Sequence, residues 1–365
     1  MSRNSLILLG VATAIATLSA ASTSPLPLAG GTFQQPETVS LTGAKVGIWN
    51  LAGTVTVLPA DAGSAVVVEI ARHGKDGARI TSAHDVIEGV QALRLQYPET
   101  HIVYRMGSRE HNHWNTELRV RDDGTFDNDD RGRGDRRVSL SGEGDGMEGW
   151  ADLTVRVPRG QRITIHLAVG SISAENVDGD VRLDTDDGDI TASKMKGALS
   201  LDTGSGDVKV TGSDGDLSID TGSGDVTASD LKGRELTMDT GSGAVTVEGA
   251  VADALSIDTG SGDVGVSGLD SRDVKVDTGS GGVELNYDAA PSDIDIDTGS
   301  GTVRISAPAG LSARIDFETS SGTITSDFPV TLTSHERDEL HGTIGDGKGH
   351  LHVETGSGEI ELRRK

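Results

Sequence analysis

Residues 199–210 read Leu-Ser-Leu-Asp-Thr-Gly-Ser-Gly-Asp-Val-Lys-Val, and the string inside them recurs. Asp202, Asp220, Asp239, Asp258, Asp277 and Asp297 each open a copy of DTGSG. Degenerate copies begin at Asp184, Glu318 and Glu354. Successive starts are 18, 18, 19, 19, 19, 20, 21 and 36 residues apart, the last close to two periods with an insertion. A fixed period near 19 residues marks a repeat architecture, and it ranks ahead of any single motif.

Within each unit apolar residues alternate on both sides of the turn. Leu199 and Leu201 precede it and Val208 and Val210 follow it; Leu217/Ile219 with Val226/Ala228 and Val274/Val276 with Val283/Leu285 do the same. Period-2 alternation of this kind reads as strands with one buried face, and Gly-Ser-Gly supplies turn backbone. A looser second turn ends each unit, at Thr211–Gly215 and again at Leu231–Gly233. Two short strands bury no core alone, whereas stacked units cover one another. The expected fold is all-β: a parallel, right-handed β-solenoid (β-helix) of ~19-residue coils rising about 4.8 Å each. Antiparallel hairpins are the competing topology; identical rows at identical phase favour stacking.

Asp202-Thr203-Gly204-Ser205 is also the tetrapeptide around the catalytic aspartates of pepsin-like proteases. Such an enzyme needs two aspartates sharing one proton, and six or more equivalent copies offer no unique dyad. The aspartic protease reading is rejected, and the string is read as a turn.

Residues 1–21 carry one basic residue, an apolar run and small residues at the end, the pattern of a secretory signal peptide. No later stretch is long and apolar enough for a membrane span. With no cysteine there is neither a disulfide nor a thiolate metal site. A net charge of −25 disfavours nucleic acid as a partner. Residues 22–40 read as a flexible leader. Residues 41–165 read as N-terminal β coils broken by an irregular, mobile insertion at about 73–150. Residues 166–365 read as regular repeats with a short insertion at about 332–349.

Gly-Ile-Trp-Asn-Leu-Ala-Gly-Thr-Val-Thr-Val (47–57), Val-Arg-Val-Pro-Arg-Gly (155–160), the TGSG coils and the ending 342–360 resemble a bacterial family of exported, adhesin-like proteins with β-strand repeats. The resemblance covers most of the chain. It implies a β-helix-like fold and a surface or envelope role, and no catalytic residues.

The column Asp184, Asp202, Asp220, Asp239, Asp258, Asp277, Asp297, Glu318 and Glu354 stacks carboxylates about 5 Å apart, so each adjacent pair repels by about 1 kcal/mol even in water. Either each Asp caps its own turn through the following backbone N–H groups, or cations sit along the ladder. For Ca2+ the oxygen ligands would include the second acidic positions Asp189, Asp207, Asp225 and Asp263. That second column fails at Ala244, Gly282 and Thr302, so capping is preferred. The best local Ca2+ candidate is Asp184, Asp186, Asp187 and Asp189. The matching threonine column invites an ice-binding reading, but each Thr is single and beside an acid; a hydroxyl ladder in the turn is preferred. His111 and His113 could ligate metal but read as an exposed loop, and His341, His350 and His352 as surface residues.

The expected function is a non-enzymatic binding or structural module at the cell envelope, adhesin-like, exported to the periplasm, cell surface or medium. Its partner would be an envelope or extracellular ligand, protein or glycan. No cofactor is expected beyond Ca2+. The alternative is a carbohydrate-active enzyme (polysaccharide lyase or hydrolase) on a β-helix scaffold, which would need a pocket joining unique acids and bases in 73–150 to the solenoid wall.

Overall fold

A computed structural model describes residues 36–61, 63–105, 114–127, 136–336 and 338–365. The signal-peptide segment and His111 and His113 lie outside the described residues. In the strand Val226–Thr240, Val226, Ala228, Leu231, Leu236, Met238 and Thr240 are buried, while Thr227, Asp230, Glu235 and Asp239 face outward. Val245–Thr259 lies parallel beside it and Val264–Thr278 parallel beside that, in register, so that Val226, Val245 and Val264 stack in succession, as do Leu236, Leu255 and Val274, and Asp239, Asp258 and Asp277. Like residues thus stack on like, which is the parallel stack that the repeated phase predicts. Each buried Val, Leu, Ile or Met contributes about 1.5–3 kcal/mol, and the core runs as one continuous cluster along the coils.

The Thr of DTGSG points inward rather than toward solvent, so no ice-like lattice of hydroxyls is displayed. Thr203, Thr221, Thr240, Thr259 and Thr278 are buried. Each Oγ1 donates to the glycine carbonyl that closes the preceding coil's turn, from Thr203 to Gly188 at 2.9 Å and from Thr240 to Gly224 at 3.2 Å. Backbone bonds reinforce the column: the Gly222 N–H donates to the Thr203 carbonyl at 3.0 Å, and the Gly224 N–H to the Ser242 carbonyl at 3.1 Å. Close approach explains the last glycine of each turn. At Gly224, with φ +152°, a Cβ would sit 2.1 Å from the Gly206 carbonyl oxygen.

The two-strand unit expected from the sequence gains a third side. After Ala228 the chain bends at Asp230 and buries Leu231, and the same row holds Met195, Ala250 and Leu269. The bend requires a left-handed residue, supplied by Asn176, Lys194, Gly212, Asp230, Gly249 and Gly268 at φ between 52° and 77°. Half of these are not glycine, which hid the corner from a reading based on Gly turns.

Both ends depart from the repeat. Residues 37–40, assigned to the flexible leader, form with Leu41 the strand Glu37–Leu41, antiparallel to Val66–His73. The described residues of the segment 73–150, expected as an irregular insertion, form paired strands. Thr81–Ile87 pairs antiparallel with Val90–Gln96, which lies parallel to Lys45–Ala52. Met147–Glu148, His101–Val103, Arg136–Ser141 and Asn115–Val120 make a separate four-stranded sheet. Val103, Val138, Leu140 and Met147 are buried in that sheet.

At the other end the 36-residue spacing is not two stacked periods. Gly349–Ser357 slides between Asp293–Thr298 and Ala313–Ser321, so Glu354 stacks on Asp297 and Glu318 stacks on Glu354. The 332–349 insertion supplies Glu339–Ile344, antiparallel to Ala313–Ser321, with Thr331–His335 antiparallel beyond it. These strands cover an edge that would otherwise invite association.

Candidate functional site

Strand alternation turns the column acids outward, each beside an inward Thr. Asp220, Asp239, Asp258 and Asp297 are exposed and Asp277 is half-buried. Their cross-strand register runs Asp220–Asp239–Asp258–Asp277–Asp297–Glu354–Glu318. Among the described residues none of Asp220, Asp239, Asp258, Asp277 and Asp297 has a hydrogen bond or ion pair. The electrostatic consequence is visible at Asp239, whose carboxyl is held above the ordinary aspartate value by partial burial and then by the charges of Asp220 and Asp258.

Turn capping by this column, preferred from the sequence, is not what the turn does. The second acidic position performs it, and across coils: Asp189 Oδ1 accepts from the Asp207 N–H at 3.1 Å, Asp207 from Asp225 at 3.0 Å, Asp225 from Ala244 at 2.8 Å and Asp263 from Gly282 at 2.7 Å. A carboxylate after the turn lies closer to the next coil's amide than one that leaves the sheet face before it. From Asp220 to Asp297 the first column makes no such bond.

Toward the N-terminal end the column changes chemistry. Asp202 meets Arg182 Nη2 at 3.3 Å. Asp184 Oδ2 lies 3.1 Å from His166 Nδ1, and both side chains are buried. His166 occupies the same column one coil earlier, and Trp49 one coil before that. Of the four proposed Ca2+ ligands, Asp184 groups with His166 and Asp127, and Asp189 accepts the Asp207 N–H.

At the C-terminal end imidazoles enter again. Asp316, Glu318 and His341 bring their donor atoms within 4.8 Å of one another. Partial burial works against His341, but the carboxylates of Asp316 and Glu339 hold its imidazole above the ordinary value. His352 and Glu354 flank Asp316 and Glu318 on the adjoining strand. A hollow of about 130 Å3 borders Glu318, Asp338, Glu339 and Glu354. His341, read as a surface residue, is thus part of a cluster, while His350 stacks on His352 at 6.4 Å.

Away from the column two shallower hollows are lined by repeat residues. One of about 430 Å3 lies on the third side beside Lys194, Lys196, Lys232 and Val251. One of about 390 Å3 lies over Thr237, Ser256, Lys275 and Asp295. No helix among the described residues is long and apolar enough to cross a membrane.

Parallel stacked coils, a buried hydroxyl ladder and an outward acidic column define a β-solenoid repeat protein. Residues 149–363 match the family described as Toastrack DUF4097, and the chain belongs to that family, whose function is unknown. Among solved structures it is similar to a putative cell adhesion protein from Clostridium sporogenes ATCC 15579, at 11% identity, 91% coverage of this chain, 100% of that chain and TM-score 0.22. It is also similar to a putative adhesin from Bacteroides fragilis NCTC 9343, at 12% identity, with 90% and 97% coverage and TM-score 0.35. No curated protein matches.

Proposed function

We propose that the chain is an exported, non-enzymatic binding module of the cell envelope, adhesin-like in use, whose acidic column is the docking face. The observation that carries the reading is the run of carboxylates from Asp220 to Asp297, in register, outward and without cationic partners. Such a row concentrates negative potential along one line and attracts a cationic ligand, protein or glycan, through many weak contacts that add. Export rests on the residue pattern of 1–21. The enzyme alternative draws less support, because the repeats place near-identical residues at equivalent positions, whereas an active site needs unique acids and bases.

The test is binding of polylysine to the full chain, compared with a variant carrying Asp220→Asn, Asp239→Asn and Asp258→Asn. Wild type should bind with affinity that falls steeply with salt, and the triple variant more weakly with a shallower salt dependence. Equal affinity in the two proteins would move the docking face elsewhere.

A further inference from the structure

We propose that Asp127, His166 and Asp184 form a binding site for a divalent transition-metal ion. The site does not depend on the acidic column acting as a docking face. At Asp220, Asp239, Asp258 and Asp297 the column residue is exposed. At this one place it is roofed over. Residues 121–127 form a built loop: Asp123 Oδ1 accepts from the Thr125 N–H at 2.9 Å and from Thr125 Oγ1 at 2.7 Å. Arg94 Nη1 holds the Asp123 carbonyl at 2.7 Å, and the Trp49 indole N–H donates to the Phe126 carbonyl at 3.0 Å.

The loop sets Phe126 edge-on to His166, with ring centroids 6.4 Å apart, while Trp49 stacks on the other side at 5.1 Å and 9°. As a result Asp184 is 1% exposed and His166 8%. The same loop delivers Asp127, so that one donor atom from each of the three residues lies within 4.8 Å of the other two. Arg182 brings its Nη2 to 4.0 Å from Asp184 Oδ2, and the same guanidinium holds Asp202 at 3.3 Å.

Two carboxylates and an imidazole gathered under aromatic rings are unfavourable without compensating positive charge, since desolvation penalises each ion and Coulomb repulsion strengthens. A dication compensates both carboxylates and uses all three converging donors at once. One nitrogen with two oxygens suits Zn2+, Mn2+ or Fe2+, whereas Ca2+ takes oxygen ligands throughout. Three protein ligands leave a coordination position for water or for a ligand group.

The test uses Zn2+ and Co2+ with the full, metal-stripped chain carrying His341→Gln, which removes the second imidazole–carboxylate cluster. One equivalent of Co2+ should produce visible absorption bands, Zn2+ should displace it, and Ca2+ in excess should not. Loss of a partner that merely orients a ligand already costs 10–100-fold, so Asp127→Asn and His166→Gln should each weaken binding by at least about tenfold. Asp127 is only partly buried in a loop, so its variant keeps the test decisive if the His166 variant fails to fold. Absence of saturable binding, or unchanged affinity in Asp127→Asn, overturns the site and leaves His166 and Asp184 as a buried ion pair.

Discussion

The middle coils, roughly 199–298, and the N-terminal end solve one problem by opposite means. Every buried polar group of a DTGSG turn is satisfied by its copy in the next coil: Thr221 bonds the Gly206 carbonyl and Thr240 the Gly224 carbonyl. At the N-terminal end there is no copy to lean on. Asn50 occupies the Thr position of the first coil, two coils before Thr185 in the ladder. Its Nδ2 donates to the carbonyls of Ala52 at 3.0 Å and Ala151 at 2.7 Å, while Tyr97 Oη donates to Asn50 Oδ1 at 2.8 Å. Repetition makes the middle self-satisfying and chemically uniform. The ends require individually chosen side chains, and the unique chemistry of the molecule, His166 with Asp184 and His341 with Asp316, sits there.

The sharpest way to break the middle is steric. Gly224→Val combines a disfavoured φ with a Cβ 2.1 Å from the Gly206 oxygen, so it should cost about 3 kcal/mol or more and lower the denaturant midpoint accordingly. Gly265→Ala, where a Cβ meets nothing within 4 Å, should stay within about 0.5 kcal/mol. A smaller effect separates the two regions directly. Asn50→Leu removes the amide donor to the Ala151 carbonyl and one acceptor of the buried Tyr97 hydroxyl, which still reaches the Ala52 carbonyl, and should cost about 2–3 kcal/mol, while Thr240→Val strands one carbonyl and should cost about 1 kcal/mol. Chemical denaturation of both variants checks the order. Equal losses would mean that the end network is no more than another rung.

What was legible in the sequence follows the same division. Repeated spacing and alternating Leu, Ile and Val exposed the coils and their parallel register, because these are periodic signals. The third side was not legible, since its corner accepts Lys194 and Asp230 as readily as Gly212. Nor was the order Asp297–Glu354–Glu318, because the last strand inserts between two earlier ones and spacing alone implies succession. The acidic column was found, but its role as turn cap belongs to Asp189, Asp207, Asp225 and Asp263. His166 could have been found: it lies one period of 18 residues before Asp184. Asp127 could not, because only the tertiary fold lays 121–127 over the column.

The smallest expected effect tests whether the column is under strain. Asp239 has its pKa raised in the folded protein above the ordinary value of 3.8, by partial burial and by Asp220 and Asp258. A raised carboxyl favours folding while it is protonated, at pH below 3.8, and that contribution is lost as pH rises through the folded value. Asp239→Asn should therefore match wild type near pH 3 and exceed it at pH 7, by no more than about 2 °C in Tm for an exposed group. At 1 M salt the Debye length falls to about 3 Å, shorter than the spacing between coils, and the gain should shrink. A variant less stable than wild type at pH 7 would mean that the ionised column is stabilised by something bound to it. Repeating the comparison with Ca2+ and then with chelator would show whether that ligand is a divalent cation.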